Sequence, residues 1–243
     1  MVTISQICKK YGRTNAVTDV SLTVPDGTIF GLLGANGAGK TSTLHMLAGI
    51  ITPDSGTVEV DGQDIQKHPV AVKQAIGFVP DMYSHFDRLT GWEYLHFAAD
   101  MYRVPTDVRS DRLTHYLPLF ELDGYVNRYI GSYSHGTKQK LMIVGSLLHQ
   151  PQLWVLDEPL TGLDSVSTAR LLDEMRRVRD GGGIVFFSSP VLNAVENICD
   201  AVGVIDNGRL IASGVLDEWY RQNPGVSLEH MFPVRLPDGD GHA

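Results

Sequence analysis

Cysteine is scarce in this chain: Cys8 and Cys199 are the only two among 243 residues. That is too few for a disulfide framework, and a reducing compartment is the expected setting. Long apolar runs are missing too. Nothing approaches the roughly 18 residues that a spanning helix needs, and residues 1–10 lack the apolar centre of an export signal. Such a chain is expected to be soluble unless another protein holds it at a membrane. Bulk positive charge is absent: the formal net charge is −8, so a polyanion gains no general attraction. The one basic cluster, Arg176, Arg177 and Arg179, is interleaved with Asp173, Glu174 and Asp180. An i,i+4 pair of Asp173 with Arg177 makes it a solvated helix face, and nucleic acid is not expected as a partner. The nine histidines show no His-Glu-x-x-His spacing, which argues against a metal site built on them. There is no internal repeat.

What is present is an ordinary globular composition, 43% apolar and 20% charged, long enough for one core with an inserted subdomain or for two small domains. Residues 1–33 read as strands: 20–24 alternate, 25–27 make a Pro-Asp-Gly turn, and 28–33 are a buried run. A helix over about 40–48 is stopped by Gly49 and then Pro53. Residues 57–60, Asp61-Gly62 and Ile65 form a hairpin, and 76–79 a further buried strand. From 92 to 148 the pattern is helical, with Trp92, Leu95, Ala99 and Tyr102 on one face and Leu141, Val144 and Leu148 on another. Strands return at 153–156, 184–187 and 202–205, the last turning at Asn207-Gly208 into 209–211. Strands alternating with helices predict an α/β fold with a mostly parallel sheet, interrupted by a helical insert. Residues 237–243 read as a frayed tail.

Gly34-Ala35-Asn36-Gly37-Ala38-Gly39-Lys40-Thr41 matches G-x-x-x-x-G-K-[ST] in full, between a strand and a helix that continues with Ser42. Glycines let successive amides point inward around phosphate oxygens, and the helix N-terminus adds partial positive charge. Lys40 reaches the β- and γ-phosphates and the Thr41 hydroxyl can ligate Mg²⁺. A Gly-rich turn that merely contains Lys-Thr is the bland alternative, and the flanking elements weigh heavily against it. Further on, a strand ends in Asp157-Glu158-Pro159. Asp157 can hold Mg²⁺ through water, and Glu158 can orient or deprotonate an attacking water; an acidic turn after a strand is the bland alternative, and only the pairing with the phosphate loop lifts the functional reading above it. These motifs alone fit a kinase, a GTPase or a recombination-type ATPase, but the Asn-Lys-x-Asp guanine motif is absent.

The segment Ser132-Tyr-Ser-His-Gly-Thr-Lys-Gln-Lys-Leu141 resembles the signature of the ATP-binding cassette (ABC) ATPases. Tyr133, Ser134, His135, Gly136 and Thr137 occupy its five positions, of which Ser134 and Gly136 match. From the residues alone, Ser134 is a good N-cap and Gly136 permits close approach of a phosphate. The resemblance covers nearly the whole chain. Lys9-Lys-Tyr-Gly12 is similar to the segment whose aromatic, here Tyr11, stacks on adenine. Leu160-Thr-Gly-Leu-Asp164 resembles the D-loop, which makes Asp164 a dimer-communication residue, and residues 206–210 and 227–232 resemble the closing hairpin and tail. Leu89-Thr-Gly-Trp-Glu-Tyr-Leu95 resembles the drug- and lipid-exporting branch. The loop over 82–89, with Tyr83 and Phe86, is where the family docks a helix of its membrane partner; ordinary surface aromatics are the alternative.

The resemblance implies a P-loop NTPase fold with an N-terminal antiparallel β subdomain. A single domain over 1–233 would divide into a core (about 1–88 and 150–214), a helical signature subdomain (about 89–149) and a C-terminal extension (215–233), followed by a tail (234–243). It also implies ATP and Mg²⁺ as cofactors and a head-to-tail dimer in which Ser134, His135, Gly136 and Thr137 of one subunit cap the nucleotide of the other. The partners would be a second ABC ATPase subunit and an integral membrane permease, at the cytoplasmic face of the cell membrane. Two positions depart from the pattern. Asp81 stands where the family has a Gln that serves Mg²⁺ and the attacking water. Ser188-Ser189-Pro190 stands where it has Ser/Thr-His, and Pro190 offers no donor to the γ-phosphate. One reading is therefore a slow transporter ATPase using Glu158, Asp81 and Ser189, with Mg²⁺ near Thr41, Asp157 and Asp81. The other is an ATP-binding half of a heterodimer with little hydrolysis of its own. A non-transport cassette ATPase is disfavoured, because that group generally carries two cassettes per chain.

Overall fold

The computed structural model describes residues 1–81, 86–224 and 226, with Asn193 and Ala194 given by their backbone alone. Two long strands, β1 (Val2–Tyr11) and β2 (Thr14–Val24), pair antiparallel. The next strand, β3 (Thr28–Leu33), leaves them for a second sheet and feeds α1 (Lys40–Leu47). The chain then returns as β4 (Ser55–Val60) and β5 (Gln63–Asp64), which complete a sheet of order β2-β1-β4-β5. Between β4 and β5, Asp61 and Gly62 have φ of +51° and +72°, the backbone that a two-residue hairpin turn requires.

The second sheet adds β6 (Ile76–Val79), which follows α2 (Pro69–Gln74), then β7 (Leu153–Leu156), β8 (Ile184–Ser189), β9 (Ala201–Asp206) and β10 (Arg209–Val215). Its order is β10-β9-β3-β8-β7-β6, and every pairing is parallel except β10 with β9. Parallel strands covered on both faces read as unbroken apolar runs, and the period of two then decides which layer each residue enters. Leu153, Val155, Ile184 and Phe186 pack toward Leu44 and Leu47 of α1 and the antiparallel sheet. Trp154, Leu156, Val185 and Phe187 face the opposite layer.

That layer is helical. Between β6 and β7 lie α3 (Gly91–Met101), α4 (Thr106–Leu119) and α5 (His135–Leu147); α6 (Ser165–Asp180), α7 (Leu192–Glu196) and α8 (Leu216–Gln222) follow later. A capping box opens α3: the Thr90 hydroxyl accepts from Glu93 N (3.2 Å) while Thr90 N donates to the Glu93 carboxylate (2.8 Å). The predicted α/β class and helical insert are observed.

Three details differ from the sequence reading. Trp92 does not share the buried face of Leu95 and Ala99. The buried stripe of α3 is centred between Leu95 and Ala98, which leaves Trp92 at its border, 40% exposed and edge-on to the His96 ring. Arg177 pairs with Glu174 (2.9 Å) rather than Asp173, because Glu174 is buried and needs a counter-charge; Asp173 pairs with Arg176 instead. Strand β8 runs two residues beyond Phe187, through Ser188 and Ser189. Tyr83 and the readings over 227–243 lie outside the described residues.

Candidate functional site

The end of β3 turns into the loop of residues 34–39 under tight steric limits. A Cβ on Gly34 would lie 2.4 Å from the carbonyl oxygen of Ile205. Gly39 has φ +108°, and a Cβ there would sit 2.5 Å from the Ala16 carbonyl oxygen, so both positions admit only glycine. Helix α1 starts directly after Gly39 with no side-chain cap and no acidic residue in its first turn. Its first amides are thus left to a ligand, and the helix end favours an anion.

A cleft of about 340 Å³ opens at this turn, lined by Ala16, Asn36, Gly37, Gly39, Lys40, Thr41, Ser42, Asp81 and Glu158. The fold thereby unites the phosphate loop with two of the predicted acids. Gly34 and Ala35 serve from behind: the buried Lys40 ammonium donates to their carbonyls at 2.8 and 3.2 Å, and lies 3.5 Å from the Glu158 carboxylate. Ala38 is buried beneath the loop, and its carbonyl accepts from Gly208 N (2.8 Å).

Asp157 is 1% exposed. Its Oδ1 accepts from the Ser188 hydroxyl (2.6 Å), while its Oδ2 is buried without a partner among the described residues. A carboxylate oxygen desolvated in this way is costly unless something completes its coordination. The oxygen chemistry of these side chains suits a hard divalent cation: the Thr41 hydroxyl and the Asp81 carboxylate line the cleft, while Asp157 is not among its lining residues. Glu158 follows with φ +48°, a costly backbone for a residue with a Cβ and of the kind that clusters at functional sites. Its amide is satisfied by the Ser188 hydroxyl at 2.9 Å.

The signature residues lie elsewhere on the chain, and none lines the cleft. Ser134 caps α5, its hydroxyl accepting from Thr137 N (3.2 Å) beside the Thr137 hydroxyl (2.9 Å). His135 and Gly136 press against the D-loop: a Cβ on Gly136 would be 2.5 Å from the Gly162 carbonyl oxygen, and one on Gly162 would be 2.5 Å from the His135 ring. Asp164 caps α6 through Ser167 N and Oγ (both 2.8 Å) and accepts from Lys140 Nζ (2.9 Å). Its carboxyl is held well below the usual carboxylate range, first by the Lys140 ammonium and then by the Ser167 donors.

Four further predicted positions are also not at the cleft. Tyr11 ends β1 with 48% exposure and the Lys9 ammonium 6.0 Å from its ring centre. The Ser189 hydroxyl is engaged by Val191, accepting from its N (3.0 Å) and donating to its carbonyl (3.2 Å). Pro190 follows β8, half-buried, and Phe86 of the loop over 82–89 packs against Tyr94 at 4.9 Å between ring centres.

Sequence reasoning overlooked Ser188, Ala16, Gln139 and Lys140. Carrying the period of two past Phe186 puts Ser188 on the layer of the phosphate loop, but its place beside Asp157 depends on the register of β7 with β8. Gln139 is buried in α5 and donates to the Pro159 carbonyl, which ties α5 to the turn that carries Glu158. No local spacing signals that contact or the packing of Ala16 against the phosphate loop.

A family model described as ABC transporter matches residues 17–161. The chain is 33% identical to the ABC transporter ATP-binding protein NatA of Bacillus subtilis (strain 168), over 98% of this chain and 99% of that protein. It is 35% identical to the linearmycin resistance ATP-binding protein LnrL of the same organism, over 88% of this chain and 69% of the other. A solved ATP-binding subunit of an ABC transporter superposes with a TM-score of 0.88 at 30% identity, covering 95% of this chain and 97% of that one.

Proposed function

This chain belongs to the ABC transporter family of ATP-binding proteins, and from that premise we propose that it is the ATP-hydrolysing subunit of a membrane exporter. It works as a head-to-tail dimer with a separate transmembrane permease, at the cytoplasmic face of the membrane. Among the described residues no helix is long and apolar enough to cross a bilayer; in this reading the permease holds the subunit at the membrane. The similarity to a linearmycin resistance protein supports the export direction. Residues 1–233 form one domain in this reading.

The observation that carries the reading is a separation. One cleft joins Lys40, Thr41, Ser42, Asp81 and Glu158, while Ser134 and Gly136 sit at the start of α5, outside it. A second copy supplies its α5 N-terminus to the γ-phosphate, so the closed state is favoured only when ATP is bound. The phosphate loop holds the triphosphate, Tyr11 stacks on the base, and Glu158 takes a proton from the water whose oxygen attacks the γ-phosphorus. The bond to the β-phosphate oxygen breaks and ADP leaves. Mg²⁺, when bound at Thr41, Asp157 and Asp81, neutralises charge on the β- and γ-phosphates. Asp164 and Lys140 couple the D-loop to α5.

Light scattering tests the dimer. In the Glu158→Gln variant, adding ATP with Mg²⁺ is expected to double the scattering mass, and ADP to leave it monomeric. A mass indifferent to nucleotide would overturn the head-to-tail arrangement.

A further inference from the structure

One hydroxyl bridges the two acids at the end of β7. Ser188 is fully buried. Its Oγ donates to Asp157 Oδ1 at 2.6 Å and accepts from Glu158 N at 2.9 Å. The sheet makes this meeting unavoidable. Leu156 of β7 is paired in register with Phe187 of β8, so one step on Asp157 stands beside Ser188. The period of two sends both to the face of Val155 and Phe186, the layer that holds α1 and the phosphate loop. On the other side Ser188 is in register with Leu32 of β3, two residues before the loop begins.

The bridge has two consequences. It occupies Oδ1 of Asp157 and fixes the carboxylate, so that the oxygen left buried and without a partner among the described residues is Oδ2. It also satisfies the amide of Glu158, whose φ of +48° takes that residue out of the strand ladder. Both acids are therefore aimed from β8 through one side chain. No other residue of this strand end takes the role, because the Ser189 hydroxyl is engaged by Val191 and Pro190 carries no donor.

We propose that Ser188 is the positioning residue of this site: its hydroxyl orients Asp157 toward a divalent cation and holds the backbone of Glu158 in its active geometry. The inference rests on the nucleotide-hydrolysing role proposed above. Hydrogen-bond partners of metal-holding carboxylates typically carry about 10–100-fold in metal affinity or activity, and Ser188→Ala is expected to fall in that range.

The test separates positioning from folding. Mg²⁺ is titrated calorimetrically into protein loaded with a non-hydrolysable ATP analogue, and the analogue itself is titrated in the absence of metal. Ser188→Ala should weaken Mg²⁺ binding by about 10–100-fold and change metal-free analogue binding by less than about 3-fold, because the phosphate loop and Lys40 are untouched. Ser188→Thr, which keeps the hydroxyl, should restore Mg²⁺ binding to within about 3-fold of the parent. Unchanged Mg²⁺ affinity in Ser188→Ala, or metal-free binding falling as far as Mg²⁺ binding, overturns the proposal. If Ser188→Ala does not fold, Ser188→Thr and Ser188→Cys decide it: a threonine variant no better than the cysteine one counts against the hydroxyl bridge. Because the readout is metal binding, a parent protein that binds Mg²⁺ and nucleotide yet releases no phosphate would refute the hydrolytic reading and leave this one standing.

Discussion

Replacing Glu158 by glutamine is expected to lower steady-state phosphate release by about 10²–10⁴-fold, the usual contribution of a positioned general base. The side chain reaches the cleft from a turn whose backbone is held at φ +48°, and glutamine keeps its shape while removing its basicity. ATP binding should not suffer. The Glu158 carboxylate lies 3.5 Å from Lys40 Nζ, so the neutral amide relinquishes that ammonium to the phosphates and nucleotide affinity is expected to hold or rise. Phosphate release measured with a coupled assay, beside a nucleotide titration, gives both numbers. Undiminished release would remove Glu158 from the chemistry.

The second large effect runs the other way. Pro190→His should raise turnover by about 10²–10³-fold, the typical worth of one preorganised donor to developing charge. The substitution acts at the end of β8, which is in register with β3 just before the phosphate loop. Its structural cost is small, since removing a proline from a compatible turn changes stability by about 0.4–1 kcal/mol. The gain should appear in kcat with nucleotide affinity little changed. A flat response would mean that position 190 does not meet the γ-phosphate and that Pro190 is not what limits turnover.

The parts of this account that sequence made legible share one property: their geometry is local. The phosphate loop is a contiguous strand, loop and helix whose residue pattern is read directly, although the clashes that require its glycines come from the distant Ile205 and Ala16 carbonyls. Ser134 as a helix cap and Asp157-Glu158 at a strand tip are likewise contiguous signals. The parallel sheet was readable from apolar runs of the right length. What escaped depends on side-chain reach between distant elements. Gln139 finds the Pro159 carbonyl and Lys140 finds Asp164 only after α5 has docked on the D-loop. Arg177 prefers the buried Glu174 to Asp173 because burial, invisible to spacing, decides which carboxylate most needs a cation. Trp92 fell at the edge of a helical stripe, where a few tens of degrees separate core from surface. Ser188 is the instructive case, since strand period and register together would have placed it beside Asp157, yet register is known only once β7 and β8 are paired.

The most direct test of the whole account is a calorimetric titration of the intact chain with ATP in the presence of Mg²⁺. Saturable heat with one nucleotide per chain is the predicted result. No detectable heat at millimolar nucleotide would contradict the claim that residues 34–42 form a working phosphate cradle.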